Sequence, residues 1–133
     1  MKDRNNIPRL IFIYAILLTL FTALMVGLSL FTPDAFFAAY DVVGDRAFQY
    51  SWSFRYVVIL AIMVLGLVRR TRESIFLVIF SRFLVDLFDA IGILLYNTPP
   101  FSMGSFAFQL IALLGLQLYC LYRLSPLRIA HLP

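Results

Sequence analysis

The sequence predicts an all-α membrane protein: one domain over residues 1–133, with four transmembrane helices in an antiparallel bundle and a short interfacial helix after the first span. Composition is the first observation behind this prediction, because 62% of the 133 residues are hydrophobic and 14% are charged, with a mean hydropathy of +0.92. A soluble domain carries roughly a quarter charged and about half apolar residues. The second observation is pattern, since long apolar segments alternate with short polar connections. At about 20 residues per span, the chain has room for no more than four.

The first predicted span covers residues 10–31, a run of 22 residues without a charge. At about 1.5 Å per residue, such a helix crosses roughly 30 Å of hydrocarbon. Residues 33–40 then predict a short helix in the membrane interface. Thr32 offers a capping hydroxyl, Pro33 suits the first helical position, and Asp34 places an acid in the first turn, as is typical of a helix start.

The second predicted span covers residues 50–68 and includes a charge. Its charge-free part, from Tyr56 to Val68, has only 13 residues and is too short to cross a bilayer. The preceding turns must therefore lie in the membrane as well, which places Arg55 one to two turns inside it.

The third and fourth predicted spans also carry polar residues. Residues 74–96 are mostly Phe, Leu, Ile and Val, and this span ends before the Asn-Thr-Pro-Pro sequence at 97–100. Residues 105–122 form the fourth span, with Gln109 and Gln117 as its polar members.

Three charges share one face of the third span. At about 100° per residue, Asp86 lies about 40° from Arg82, and Asp89 lies about 20° to the other side. Arg82 and Asp86 are four residues apart and are expected to pair along the helix. Asp89 has no partner on its own helix, and Arg55 is at a similar depth on the second span. We therefore expect two ion pairs whose four charges sum to zero.

Two interpretations of these four charges stay open. In the first, they are structural bridges that set helix register, with Gln109 and Gln117 among the residues that complete the hydrogen bonds. In the second, Asp86 and Asp89 line a cavity and bind a cation, a substrate amine or a proton. Replacing Asp89 by asparagine separates the two, because the first predicts loss of folded protein and the second predicts folded protein without activity.

The remaining basic residues predict the orientation in the membrane. The N-terminal segment, the 69–73 loop and the C-terminal tail hold eight arginines and lysines, whereas loops 32–49 and 97–104 hold one. By the positive-inside rule, both termini are cytoplasmic, and the expected location is a bacterial inner membrane. The basic loop that carries Arg69, Arg70 and Arg72 is interpreted as a topology determinant.

Several activities lack the residues they need. With one cysteine, Cys120, and one histidine, His131, the chain cannot form an internal disulfide or a cysteine-based metal site. No glycine-rich phosphate-binding loop is present. A metal-dependent lipid enzyme would need more acids than the Asp-x-x-Asp of the third span. We expect no cofactor, no metal, no nucleic-acid partner and no intrinsic catalysis.

The layout resembles a group of small bacterial four-helix inner-membrane proteins with no assigned activity. The likeness lies in the segment FTPDAFFAAYDVV after the first span, in Arg55 near the start of the second, and in SRFLVDLFDA of the third. It covers residues 8–124 and implies a topology but no activity. The chain is similar, more distantly, to small quinone-associated membrane proteins.

From these observations we expect a small integral membrane accessory or binding protein. Its partners would be the lipid bilayer together with a larger membrane-protein complex or a lipophilic ligand. The alternative is a self-associating transporter or channel lined by Asp86 and Asp89, with Arg55 and Arg82 as countercharges. Transport predicts a symmetric homo-oligomer, and an accessory role predicts co-purification with a different protein.

Overall fold

The structure is a computed structural model, and it describes residues 7–38, 46–96 and 110–125. Nearly all of these residues are helical and no strand occurs among them, which confirms the all-α class for the part of the chain described. The helices are α1 (Arg9–Phe31), α2 (Pro33–Ala38), α3 (Arg46–Arg69), α4 (Arg72–Tyr96), a π-helical segment (Leu110–Leu114) and α5 (Gly115–Leu124).

The observed helices follow the predicted segments with shifted ends. Helix α3 starts at Arg46, four residues before the predicted span, so the turns around Arg55 are helical. The short helix α2 is observed to Ala38, and the rest of its predicted range lies outside the described residues. The start of the fourth predicted span, with Gln109, also lies outside them.

Among the described residues, two helices are long and apolar enough to cross a membrane, α1 and α3. Only 33% of the most apolar stretch of α1 and 22% of that of α3 are buried inside the protein. Most of their apolar surface is therefore outward-facing, with residues such as Leu17, Leu24 and Val58 more than half exposed. Helix α4 has the length but carries charged residues along it, and α5 is shorter.

The buried core draws residues from four helices. Helix α3 packs against α1 and α4, and α4 packs against α5. The core members are apolar residues that recur about once per turn on one face of each helix: Ile11, Ala15, Leu18, Ile59, Met63, Ile75, Val78, Ile79, Cys120, Leu121 and Leu124. Gly66 brings α3 close to α4, because a Cβ there would overlap a Val78 methyl group and lie 3.0 Å from the Ser74 carbonyl oxygen.

Basic residues gather where α3 turns into α4. The connection consists of Arg70 and Thr71, and Arg70 adopts a left-handed backbone with φ of 50°. The Arg70 guanidinium lies 5.6 Å from the ring centre of Phe12 near the start of α1. Arg72 reaches the last turn of α5, so the start of α1, the α3–α4 connection and the end of α5 meet at one end of the protein. We call this the basic end.

Aromatic residues cover the opposite end. Phe36 and Phe37 of α2 lie 5.2 and 5.6 Å from Trp52 of α3, measured between ring centres. Thr32 joins α1 to α2, since its hydroxyl donates to the Leu28 carbonyl at 2.9 Å and its own carbonyl accepts the Phe36 N–H at 2.9 Å. We call this the aromatic end.

Candidate functional site

The central ion pair of the candidate site joins Arg82 and Asp86, one turn apart on α4. Arg82 donates from Nε to Oδ2 at 3.1 Å, and its Nη2 lies 2.8 Å from Oδ1 of the same carboxylate. The two side chains are only 5% and 12% exposed. This is a two-point arginine–carboxylate contact, the strongest geometry available to such a pair.

Each neighbouring helix contributes one further contact to the central pair. Arg82 Nη1 donates to the Thr22 hydroxyl of α1 at 3.2 Å, and that hydroxyl donates onward to the Leu18 carbonyl. The Gln117 amide nitrogen of α5 donates to Asp86 Oδ2 at 2.7 Å. From α3, the Tyr56 ring lies beneath the Arg82 guanidinium, 5.1 Å from ring centre to Cζ. One ion pair on α4 therefore contacts α1, α3 and α5.

The peripheral ion pair joins Arg55 of α3 to Asp89 of α4, nearer the aromatic end. Arg55 Nη2 lies 3.1 Å from Asp89 Oδ1, and the Tyr56 hydroxyl donates to Asp89 Oδ2 at 2.7 Å. The Arg55 and Asp89 side chains are 47% and 34% exposed. This pair is therefore accessible from outside the helices, whereas the central pair is enclosed.

Tyr56 connects the two pairs and extends the site to the aromatic end. Its hydroxyl donates a hydrogen bond to Asp89, and its ring makes a cation–π contact with Arg82. The same ring stacks on Trp52, with 4.1 Å between ring centres and 28° between planes. Trp52 in turn contacts α2, so the position of this short helix is linked to the ion pairs by a continuous series of aromatic contacts.

Two buried polar atoms beside the central pair have no hydrogen-bond partner in the described structure. They are the Tyr14 hydroxyl of α1 and Oε1 of Gln117, a side chain with no exposed surface. Tyr14 lies close to the Gln117 side chain and within electrostatic reach of Asp86 and Arg82. The polar region around the central pair thus extends across the interior toward α1.

The chemistry open to the site follows from these contacts. Both Asp86 oxygens are occupied by Arg82 and Gln117, so this carboxylate is held in place rather than presented to a ligand. Each Asp89 oxygen accepts one hydrogen bond, but the side chain remains partly exposed. No group of three or more metal-ligating His, Cys, Asp or Glu side chains occurs within the ranges described.

The residues predicted from sequence fall into three groups. Arg55, Arg82, Asp86, Asp89 and Gln117 are brought together by the fold, with Arg82 paired to Asp86 and Arg55 paired to Asp89. Gln109 lies outside the described residues. The third group is the predicted basic loop, and its arginines lie at the basic end, away from the site: Arg69, Arg70 and Arg72.

Arg72 has a role that charge counting does not indicate. Its Nε donates to the Leu124 carbonyl at 3.1 Å and its Nη2 to the Arg123 carbonyl at 2.8 Å. The last carbonyls of a helix have no partner within the helix, and a basic side chain satisfies them. Arg72, at the start of α4, therefore caps the C-terminal end of α5.

Tyr56 is the site residue that sequence reasoning missed. A signal was present, because Tyr56 follows Trp52 by four residues and precedes Ile59 and Met63 by three and seven, a spacing that places all four on one face of a helix. Helix α3 is apolar on most sides, however, and this stripe does not stand out from the other apolar residues.

Comparison of the chain with known protein families, with curated proteins and with solved structures returns no match. The part of the chain that the structure describes is all-helical, with two candidate membrane-spanning helices, one enclosed ion pair on α4 and one partly exposed ion pair between α3 and α4.

Proposed function

We propose that the chain is a four-span inner-membrane protein that acts as a small accessory or binding protein without intrinsic catalysis. In this proposal α1, α3, α4 and the helix ending in α5 all span the bilayer. Their outer apolar faces contact a partner membrane protein or a lipophilic ligand.

The observation that carries the proposal is the pairing of the three charges in the middle of α4, Arg82, Asp86 and Asp89. A charge at the centre of a bilayer costs at least about 2.5 to 3.5 kcal/mol, which argues against a membrane helix with three unpaired charges. Arg82, Asp86 and Asp89 instead form neutral pairs with each other and with Arg55. The Arg82–Asp86 pair is enclosed by contacts from α1, α3 and α5, whereas the Arg55–Asp89 pair is partly exposed. This arrangement supports a membrane position for α4.

The exposed surface supports the same conclusion. Large apolar side chains are more than half exposed on all four of these helices, for example Leu20 on α1, Leu65 on α3, Leu77 on α4 and Leu118 on α5. A soluble monomer rarely exposes a contiguous apolar surface of this extent. Hydrocarbon tails or the helices of a partner would cover it.

The orientation in this proposal has the basic end in the cytoplasm. The positive-inside rule favours this side for the arginines that meet there. Both termini would then be cytoplasmic, and α2 would lie at the outer surface.

Cysteine labelling tests this topology. In a Cys120→Ser background, Asp34→Cys and Arg70→Cys place single thiols at the aromatic and basic ends. A membrane-impermeant maleimide added to intact cells should label the first and not the second until the cells are lysed. Equal labelling of both in intact cells would contradict the proposed orientation.

The accessory role is tested by purification in native lipid nanodiscs. Mass spectrometry of the retained material should find a different membrane protein or a lipophilic molecule in stoichiometric amount. A pure monomer that retains neither would contradict the proposal.

A homo-oligomeric transporter is the second candidate, and the exposure of the peripheral pair favours it. Charges that are 47% and 34% exposed could face a pathway formed between copies of the chain. In that case Asp89→Asn should leave a folded oligomer that has lost transport. A purely structural pair predicts instead that Asp89→Asn lowers the yield of folded protein.

A further inference from the structure

We propose that the peripheral pair, Arg55 and Asp89, binds the head group of a phospholipid that carries both a phosphate and a primary ammonium group, as in phosphatidylethanolamine. The proposal deepens the membrane location proposed above and rests on it. It assigns a ligand to the one ion pair in the described structure that is open to the outside within a spanning region.

The depth of the pair is suited to a head group. With the basic end at the inner hydrocarbon edge, Asp89 lies 17 residues beyond Arg72, or roughly 26 Å across a core of roughly 30 Å. Arg55 lies 14 residues before Arg69, or roughly 21 Å across. Its guanidinium extends toward the nearer surface and meets Asp89 there, as basic side chains near a membrane edge do. The helix positions of Asp89 and Arg55 thus lie roughly 4 and 9 Å below the outer edge of the hydrocarbon core.

The free hydrogen-bonding capacity of the pair matches a zwitterion. Of the five N–H donors of the Arg55 guanidinium, one is used within the described structure, by Asp89. Each Asp89 oxygen accepts one hydrogen bond and has a second lone pair. An open donor set and an open acceptor therefore lie side by side, each partly exposed.

A phosphate accepts readily from a guanidinium, and a primary ammonium donates to a carboxylate. In an ethanolamine head group, two carbons separate the ammonium from the phosphate ester oxygen, so one molecule can engage both side chains. A glycerol head group has no cation for Asp89, and a choline ammonium has no N–H to donate. The site should therefore prefer ethanolamine over both.

Neighbouring side chains provide surface for the rest of the lipid. Phe54 and Phe88 flank the pair on α3 and α4, and both are more than 60% exposed. Tyr50, one turn further out on α3, is also exposed and is a residue type found at membrane interfaces. Acyl chains lying along these residues would keep the head group over the pair.

The test uses the full chain in nanodiscs of equimolar phosphatidylethanolamine, phosphatidylcholine and phosphatidylglycerol. The protein is released into mild detergent, and the retained lipids are identified by native mass spectrometry. The wild type should retain ethanolamine lipid in preference to the other two. Arg55→Gln and Asp89→Asn should each lower this preference about tenfold, the loss expected for one charge-assisted hydrogen bond.

Arg46→Gln is the matched control, since Arg46 is an exposed arginine on the same helix whose guanidinium lies 3.7 Å from the Asp34 carboxylate. It should leave the lipid preference unchanged. Arg55→Lys provides a further variant in case Asp89→Asn fails to fold. It keeps the positive charge on an exposed side chain and should retain part of the lipid preference.

Three results would overturn the proposal. The first is equal retention of the three lipids by the wild type, and the second is an unchanged preference in Arg55→Gln. The third is a lipid-free dimer, which would assign the pair to a second copy of the chain. Cysteine labelling of the same variants in intact cells, as described above, separates these results from failure of the proposed membrane topology.

Discussion

Replacing Asp86 by asparagine should destabilise the protein by about 3 to 5 kcal/mol, the range measured when one partner of a buried ion pair is removed. The substitution keeps the size of the side chain and an oxygen that can accept from Gln117. It removes the negative charge that balances Arg82, whose side chain is only 5% exposed. The remaining Arg82 contacts, to the Thr22 hydroxyl and the Tyr56 ring, carry no countercharge.

The free energy of unfolding can be measured in mixed micelles by titration with a denaturing detergent. Trp52 is the only tryptophan and stacks on Tyr56, so its fluorescence reports the packing next to the central pair. A double variant, Arg82→Met with Asp86→Leu, should recover most of the lost stability. Replacing both charges by apolar residues of similar volume is often neutral or stabilising, because no charge is left unpaired.

The control for this experiment is Asp34→Asn, which removes one partner of the exposed Asp34–Arg46 pair. That pair is separated by 3.7 Å, and its side chains are 65% and 58% exposed. Pairs of this kind contribute about 0 to 1 kcal/mol. The reasoning is refuted if Asp86→Asn costs no more than Asp34→Asn, or if the double variant is as unstable as Asp86→Asn alone.

Three further substitutions test the packing, by the same unfolding measurement. Gly66→Ala should cost about 1 to 3 kcal/mol because its Cβ overlaps α4, whereas Gly115→Ala, with nothing within 4 Å of the added Cβ, should be tolerated. Arg72→Gln should cost about 1 to 3 kcal/mol through two lost hydrogen bonds to the end of α5, and equal loss in the exposed Arg69→Gln would contradict that role. Tyr56→Phe should cost about 1 to 2 kcal/mol, and no change would show that its hydroxyl is dispensable.

The sequence predicted the pairing within α4 because helix geometry is local. Arg82 and Asp86 are one turn apart, so any helix over this segment brings them together. It also predicted the Arg55–Asp89 pair, because a short connection makes α3 and α4 antiparallel neighbours and sets the depth of each residue. The one-turn spacing on α4 was enough to predict the first pair, and the short α3–α4 connection was enough to predict the second.

The specific partners of other contacts could not be predicted in this way. The sequence indicated that Gln117 would complete the hydrogen bonds of the charges, but it did not indicate that Asp86 would be the acceptor. The hydrogen bonds from Arg82 to Thr22 and from Gln117 to Asp86 join residues 60 and 31 positions apart, and no repeat in the chain relates them. The role of Arg72 depends on where α5 ends relative to α4. In the sequence, Arg72 is one of several basic residues in a loop, and nothing distinguishes it from the others.

By itself, the sequence determined the helical class, the apolar segments long enough to span a membrane, and the small set of charges within them. These properties follow from composition and from the 3.6-residue helical period. Both are properties of each segment's own sequence and do not depend on the segments packed against it. Only the tertiary structure decided that the central pair is enclosed by four helices while the peripheral pair is left open. Helices α1 and α3 are apolar on nearly all sides, so their sequences do not specify which face turns inward. That choice depends on the fit of buried side chains between helices, which is a property of the whole assembly.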